Sequence, residues 1–136
     1  MSRINNFTEY EEHYNLAKAD PTAYWSKIAD EFHWYKKWDS VQTGNFTDLD
    51  VKWFDGGKTN MSYNCLDRHL ATKGDKVALI YEDNDPTITA KNYTYKELHA
   101  EVCRFANVLK DKGIKKGDRV CFYMSMVPEL LVGVLA

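Results

Sequence analysis

The sequence is poor in the features that announce many functions. Its three prolines are scattered, and its three cysteines, Cys65, Cys103 and Cys121, lie far apart with no C-x-x-C among them. That spacing excludes a disulfide scaffold and a zinc finger, and each cysteine sits in an apolar stretch, so buried, reduced thiols are expected. Seven glycines are present, but no G-x-x-x-x-G-K-[ST] and no G-x-G-x-x-G, so the phosphate-cradling loops of nucleotide-binding folds are missing. Charge of one sign is also lacking: 18 Lys and Arg stand against 20 Asp and Glu, for a net charge of -2. No clustered basic face points to nucleic acid. The longest apolar run, Leu130–Ala136, is far below bilayer length, and the N-terminus has no apolar signal core. No membrane partner is expected, and a cytoplasmic location is.

What remains is a chain of one-domain length, 136 residues, with 44% hydrophobic and 28% charged residues, in the range of ordinary globular domains. Aromatics make up 14%, mostly ahead of Tyr95; Trp25, Trp34 and Trp38 lie close together and Trp53 follows. Rings at that density need surfaces to cover, which suits a segment that wraps a larger body.

Local signals divide the chain near Asn60. Asn6-Phe-Thr-Glu9 is a helix start, and the helix is expected to run to about Ala19. Asp20-Pro21 caps a second helix, with Tyr24, Trp25, Ile28, Ala29 and Phe32 on one face. His33 to Gly57 reads as an extended connection with one short strand near Val51–Phe54 and a turn at Gly56-Gly57. Beyond Asn60 a third helix is expected to Leu70, with Met61, Cys65, Leu66 and Leu70 on one side and Gly74 as its stop. Val77–Tyr81 has the continuous apolar character of a strand buried on both faces. A turn at Asp83–Pro86 and a polar strand from Thr87 to Tyr93 complete a hairpin.

Thr94-Tyr-Lys-Glu97 is a capping box, followed by Leu98, Val102, Phe105, Ala106 and Leu109 at helical spacing and by Gly113 as terminator. Asp118 to Met124 reads as another buried strand, which with the preceding strand and helix makes a right-handed βαβ unit. Pro128 then opens a helix that is apolar all round after Glu129 and must be buried all round. The expected fold class is α/β. An aromatic-rich helical N-terminal segment, residues 1–60, wraps the start of a large-domain α/β sheet, residues 61–136. That sheet is expected to be truncated, leaving helix 128–136 uncovered and open to self-association.

The candidates for chemistry each have a plainer structural reading. His69 and Asp67 are two apart and face different sides, so a half-buried, hydrogen-bonded His69 is expected rather than a dyad. Asp67-Arg68 reads as an ion-pair anchor to another segment. His99 lies beside an apolar helix face and packs; His13 and His33 are expected to be exposed. Asp83, Asn84 and Asp85 lack the twelve-residue spacing and closing Glu of a calcium loop and form a turn. Lys110, Lys112, Lys115 and Lys116 suit a helix C-terminus rather than a phosphate patch. The tryptophans serve to cover a larger domain rather than to hold a ligand. No catalytic, cofactor-binding or metal residue is assigned.

Several runs nevertheless resemble the N-terminal part of acetyl-CoA synthetases, among the adenylate-forming enzymes. These are Trp53-Phe-Asp-Gly-Gly-Lys-Thr-Asn-Met-Ser-Tyr-Asn-Cys-Leu-Asp-Arg-His-Leu70, Tyr93–Leu98, Val102–Asn107, Gly113–Val120 and Tyr123–Glu129. Ser125 departs from the pattern, which usually has Pro between the two methionines. The resemblance implies a parent AMP-forming ligase that uses ATP, Mg²⁺ and CoA and joins acetate to CoA through an acetyl-adenylate. Its phosphate loop, adenosine site, CoA-binding arginines and C-terminal lysine match nothing in this sequence. The chain is thus expected to be an inactive scaffold piece, cut by design or by proteolysis, whose partner is the rest of the large domain. The alternatives are a piece of a propionyl-CoA or acetoacetyl-CoA synthetase, or a stand-alone interaction module.

Overall fold

The computed structural model describes residues 4–136. The elements run α1 (Phe7–Ala19), α2 (Pro21–Ala29), β1 (Ser40–Asn45), β2 (Asp50–Asp55), α3 (Met61–Cys65), a 3₁₀ turn (Asp67–His69), α4 (Leu70–Lys73), β3 (Val77–Tyr81), β4 (Lys91–Thr94), α5 (Tyr95–Asp111) and α6 (Pro128–Leu135). They form two compact units, one ending at Asn60 and the other spanning Met61–Ala136. The class is mixed α/β, and both sheets among the described residues are two-stranded and antiparallel.

In the first unit the helix starts follow the local signals. Asn6 Oδ1 accepts the Glu9 N–H at 2.9 Å, and Asp20 Oδ1 accepts the Ala23 N–H at 2.9 Å ahead of Pro21. These bonds satisfy N–H groups that a helix start leaves without intrahelical partners. The helix α2 stops at Ala29, so Phe32 falls beyond it and is 49% exposed. Downstream the structure departs from expectation: β2 is one arm of a hairpin, with β1 as the other. Its loop is drawn closed by Asn45, whose Oδ1 accepts the Asp48 N–H at 2.8 Å, and by the left-handed Gly44 at φ 74°. The strand β1 was hidden because Ser40-Val-Gln-Thr-Gly-Asn45 has a single large apolar residue; Val41 is buried and the hairpin pairing supplies the rest.

The aromatic rings of this unit settle on one another. Trp34 meets Trp38 at 4.9 Å and Phe54 at 5.5 Å between centroids, and Trp25 meets Trp53 edge-on at 6.2 Å. The Trp34 Nε1–H donates to the Ala29 carbonyl at 2.8 Å, which gives the indole its polar partner.

In the second unit the core is Leu66, Leu98 and Val102, with Ala78, Tyr93, Tyr95, Leu131, Val132 and Leu135 packed around it. The expected single helix over Asn60–Leu70 is instead three short pieces. Leu66 (φ -118°, ψ -70°) leaves the helical path, and only 2% of it stays exposed. Burying that one side chain against α5 outweighs keeping the helix straight, and Met61 and Cys65 are left exposed. Gly74 is right-handed rather than a left-handed stop; a Cβ there would lie 2.7 Å from both the Leu70 carbonyl oxygen and Lys96 Cε.

The hairpin β3–β4 forms as expected, although β4 is shorter than the predicted strand. Two strand expectations fail. β3 is not buried on both faces: Val77 and Ile80 are 42% and 67% exposed. Asp118–Met124 forms no strand, so no βαβ unit arises, and Tyr123 is fully exposed. A strand exists only when it bonds to a neighbour, and this segment pairs with none of the described strands. Cys65, Cys103 and Cys121 are all exposed, against the expectation of buried thiols. Phe122 alone of that stretch finds a seat, against Gly133 of α6, where a Cβ would come within 2.6 Å of the ring. Val134 on α6 is 66% exposed, so this helix is not buried all round. Among the described residues no helix is long and apolar enough to cross a membrane.

The capping box of α5 is complete. The Thr94 Oγ1 accepts the Glu97 N–H at 3.2 Å while the Glu97 carboxylate accepts the Thr94 N–H at 2.8 Å. Gly113, at φ 83°, ends the helix. Thr94→Ala is expected to lower stability by about 1 kcal/mol, read as a shift of the urea midpoint. The Thr94 N–H, and then its hydroxyl, hold the Glu97 carboxyl below the usual range. A carboxyl lowered in the folded state adds stability at neutral pH that is lost as pH falls through its folded value. The cost of Thr94→Ala is therefore expected to shrink on acidification below the normal Glu value of 4.5.

Candidate functional site

The 3₁₀ turn and α5 bring together the one cluster of reactive side chains in the second unit. Asp67 sits on the turn, which the burial of Leu66 aims at α5. His99 and Cys103 are one helical turn apart on α5, the spacing at which side chains meet. His99 Nε2 lies 3.3 Å from Asp67 Oδ1 and 3.5 Å from Cys103 Sγ, and His99 Nδ1 lies 3.8 Å from the same sulfur. The His99 side chain is half-buried and Asp67 is more open. Asp67 thus anchors to another element, as expected, but through His99. Arg68 donates to Asn64 Oδ1 at 2.9 Å within its own segment. Sequence reasoning missed the pairing of Asp67 with His99 because 32 residues separate them.

The other candidates are dispersed. His69 stands apart from the Asp67 carboxylate pairing and sets its ring against Tyr95, with centroids 5.6 Å apart. Burial, then the nearby Lys73 and Arg68 charges, push its pKa down, so it is neutral at physiological pH. His13 and His33 are half-buried rather than exposed. His13 Nδ1 lies 3.1 Å from the Tyr24 hydroxyl, and the His33 ring meets Tyr35 edge-on.

Asp83 and Asp85 turn their carboxylates onto their own chain. Asp83 accepts the Asp85 N–H at 2.9 Å and the Tyr81 hydroxyl at 2.9 Å; Asp85 accepts the Thr87 N–H at 2.9 Å. These bonds lower both carboxyls, the Asp85 N–H being the largest cause for Asp83 and the Thr87 N–H for Asp85. They define turns, not a cation loop. Among the described residues no group of three His, Cys, Asp or Glu is placed to hold a metal. Lys110, Lys112, Lys115 and Lys116 all lie exposed around the end of α5, and the Lys115 N–H is taken by Asp118 at 2.7 Å.

Two grooves remain. One, about 340 Å³, lies between α1 and α2 and is walled by Leu16, Ala19, Ala23, Tyr24 and Ile28. The other, about 430 Å³, lies between β3 and α6 and is walled by Leu79, Ile80, Met126, Leu130 and Val134. Neither gathers the donors that a triphosphate or a CoA phosphate needs. The N–H groups at the start of α5, the most regular helix in the unit, are already met: Thr94 and Glu97 satisfy each other, and the Tyr95 and Lys96 N–H groups donate to the Lys76 and Gly74 carbonyls. The residues present do not fit a nucleotide, and no step of phosphate chemistry is assigned to them.

Comparison with known proteins finds relatives for both units. Residues 10–65 match the family described as acetyl-coenzyme A synthetase N-terminus, and residues 66–136 match the AMP-binding enzyme family. The chain is 52% identical over 132 residues to an acetyl-coenzyme A synthetase of Rhizobium rhizogenes, covering 96% of this chain and 20% of that protein. It is 50% identical over 129 residues to one of Bdellovibrio bacteriovorus, covering 94% of this chain and 20% of that protein. With one of Chlorobaculum tepidum it shares 49% over 137 residues, again 20% of the relative. The chain therefore spans about a fifth of the length of the curated relatives it matches. Since the AMP-binding match alone takes in more than half of the residues, the chain belongs to the AMP-binding enzyme family, with the acetyl-coenzyme A synthetase N-terminus ahead of that region.

Proposed function

We propose that this chain serves as the N-terminal scaffold of an AMP-forming acetate–CoA ligase. In that reaction acetate and ATP give an acetyl-adenylate and pyrophosphate, and the acetyl group then passes to the CoA thiol. ATP, Mg²⁺ and CoA would be bound by the remainder of such an enzyme, in the cytoplasm. What carries the reading is the identity of about half over nearly the whole chain to proteins named acetyl-coenzyme A synthetase. The reading is tested by a chimera in which this chain replaces the matching first fifth of the Rhizobium rhizogenes protein. Acetate-dependent pyrophosphate release is expected to survive, with acetate preferred over propionate and acetoacetate. A folded chimera without acetate-dependent release would overturn the proposal.

The partner in this reading is the rest of the large domain. Its support is the apolar surface of the second unit: Ile80, Met126 and Val134 are 67%, 85% and 66% exposed around the β3–α6 groove. A bare sheet edge beside an apolar face invites pairing. Prepared alone, the chain is therefore expected to self-associate, and Val134→Glu together with Ile80→Lys is expected to return it to a monomer. Light scattering during size-exclusion chromatography measures this, and a unit that is monomeric without those substitutions would count against the surface as a docking face.

A further inference from the structure

The Asp67–His99–Cys103 cluster plays no part in the scaffold reading, yet it has the parts of an activated thiol. A cysteine reacts as its thiolate, and a neighbouring base within reach of the sulfur provides it. Here the base is placed beside the sulfur by its own helix, with a carboxylate of the 3₁₀ turn next to it. His99 is fixed one turn from Cys103 on α5, and its Nε2 is 3.3 Å from Asp67 Oδ1 and 3.5 Å from the Cys103 sulfur. The same nitrogen faces both neighbours. With its lone pair exposed it can accept the thiol proton; once it carries that proton, the N–H lies beside the Asp67 carboxylate and the new thiolate together. Cys65 and Cys121 are also exposed, and among the described residues the histidine–sulfur hydrogen bonds are those of Cys103.

We propose that Cys103 is a thiol-modification site that exchanges with small disulfides of the glutathione type. The S–H proton passes to His99 Nε2. The thiolate attacks one sulfur of the disulfide, a new S–S bond forms at Cys103, and the old S–S bond breaks. The departing thiolate takes a proton from water or from His99, so no outside oxidant beyond the disulfide is consumed. His99 acts as the proton acceptor and Asp67 as a positioning residue.

The experiment treats the full chain with excess oxidised glutathione and follows the mixed disulfide at each cysteine by peptide mass spectrometry. Cys103 is expected to react about fivefold or more faster than Cys65 and Cys121, since a larger thiolate fraction raises the rate of exchange. His99→Gln is expected to remove that lead while the rates at Cys65 and Cys121 stay unchanged, which separates loss of the base from loss of the fold. Asp67→Asn, which keeps the imidazole, is expected to lower the Cys103 rate alone. In concentrated urea the lead is expected to vanish, since the cluster depends on contact between the turn and α5. Equal rates in the native chain would overturn the proposal. So would a lead that survives His99→Gln, is untouched by Asp67→Asn, or persists in urea.

Discussion

Leu66→Ala is expected to cost the second unit about 2–5 kcal/mol, the range for emptying a closed core site of a leucine. Leu66 is the most deeply buried large side chain, at 2% exposed, and it joins Leu98 and Val102 in the only cluster of fully buried apolar residues described. Small domains are held by only about 5–15 kcal/mol in total, so the loss is a large share of what there is. The substitution also removes the reason for the break after Cys65. Without a leucine to bury, the 3₁₀ turn loses its anchor, and Asp67 loses its aim at His99. Urea denaturation followed by circular dichroism measures the effect as a lower midpoint with the slope unchanged. Met61→Ala is the comparison: its side chain is 68% exposed, and a surface change is expected to stay within about 0.5 kcal/mol. Matching shifts for the two would show that the core is not centred on Leu66.

Gly44→Val is expected to disrupt the β1–β2 hairpin outright. Gly44 sits at φ 74°, a region that costs a β-branched residue about 1–3 kcal/mol. Sterics add to this, because a Cβ at Gly44 would overlap the Asp50 carbonyl oxygen across the hairpin. That carbonyl belongs to the last pair of the ladder, Asn45 with Asp50, and cannot move without opening it. β2 also carries Trp53 and Phe54, which meet Trp25, Trp34 and Trp38, so near-ultraviolet circular dichroism of the tryptophans is expected to collapse with the hairpin. Gly113→Ala separates the two effects. Gly113 has a similar φ of 83°, but nothing lies within 4 Å of a Cβ built there, so only the backbone term remains, about 1 kcal/mol. An equal penalty at both glycines would refute the overlap argument.

Both predictions rest on contacts between residues far apart in the chain, and the same division governs what could be read without coordinates. Helix starts and ends are local. Asn6, Asp20 and Thr94 are caps because a short oxygen-bearing side chain two or three residues ahead of a free N–H can reach it, and Gly113 ends a helix because its own φ is positive. Those positions, the turn at Asp83–Pro86 and the family resemblance were all legible in the residue order. Strands were legible where apolar residues or a turn marked them: Val77–Tyr81, the core of Asp50–Asp55 and, with shifted bounds, Lys91–Thr94 were found, while Ser40–Asn45 was not, since its strand identity comes from its partner. Conversely, Asp118–Met124 has strand-like residues but pairs with no described strand, so it stays irregular and, apart from Phe122, exposed.

Residue order by itself determined where helices begin, which helix faces are apolar, and to which family the chain belongs, because each depends on neighbours within a few positions or on the identities of the residues. Tertiary structure alone decided that Leu66 breaks its helix, that the three cysteines face solvent, and that Asp67 meets His99 and Cys103. Burial is won by whichever side chain finds a complementary surface, and that surface is made by segments tens of residues away, whose arrival no local pattern records.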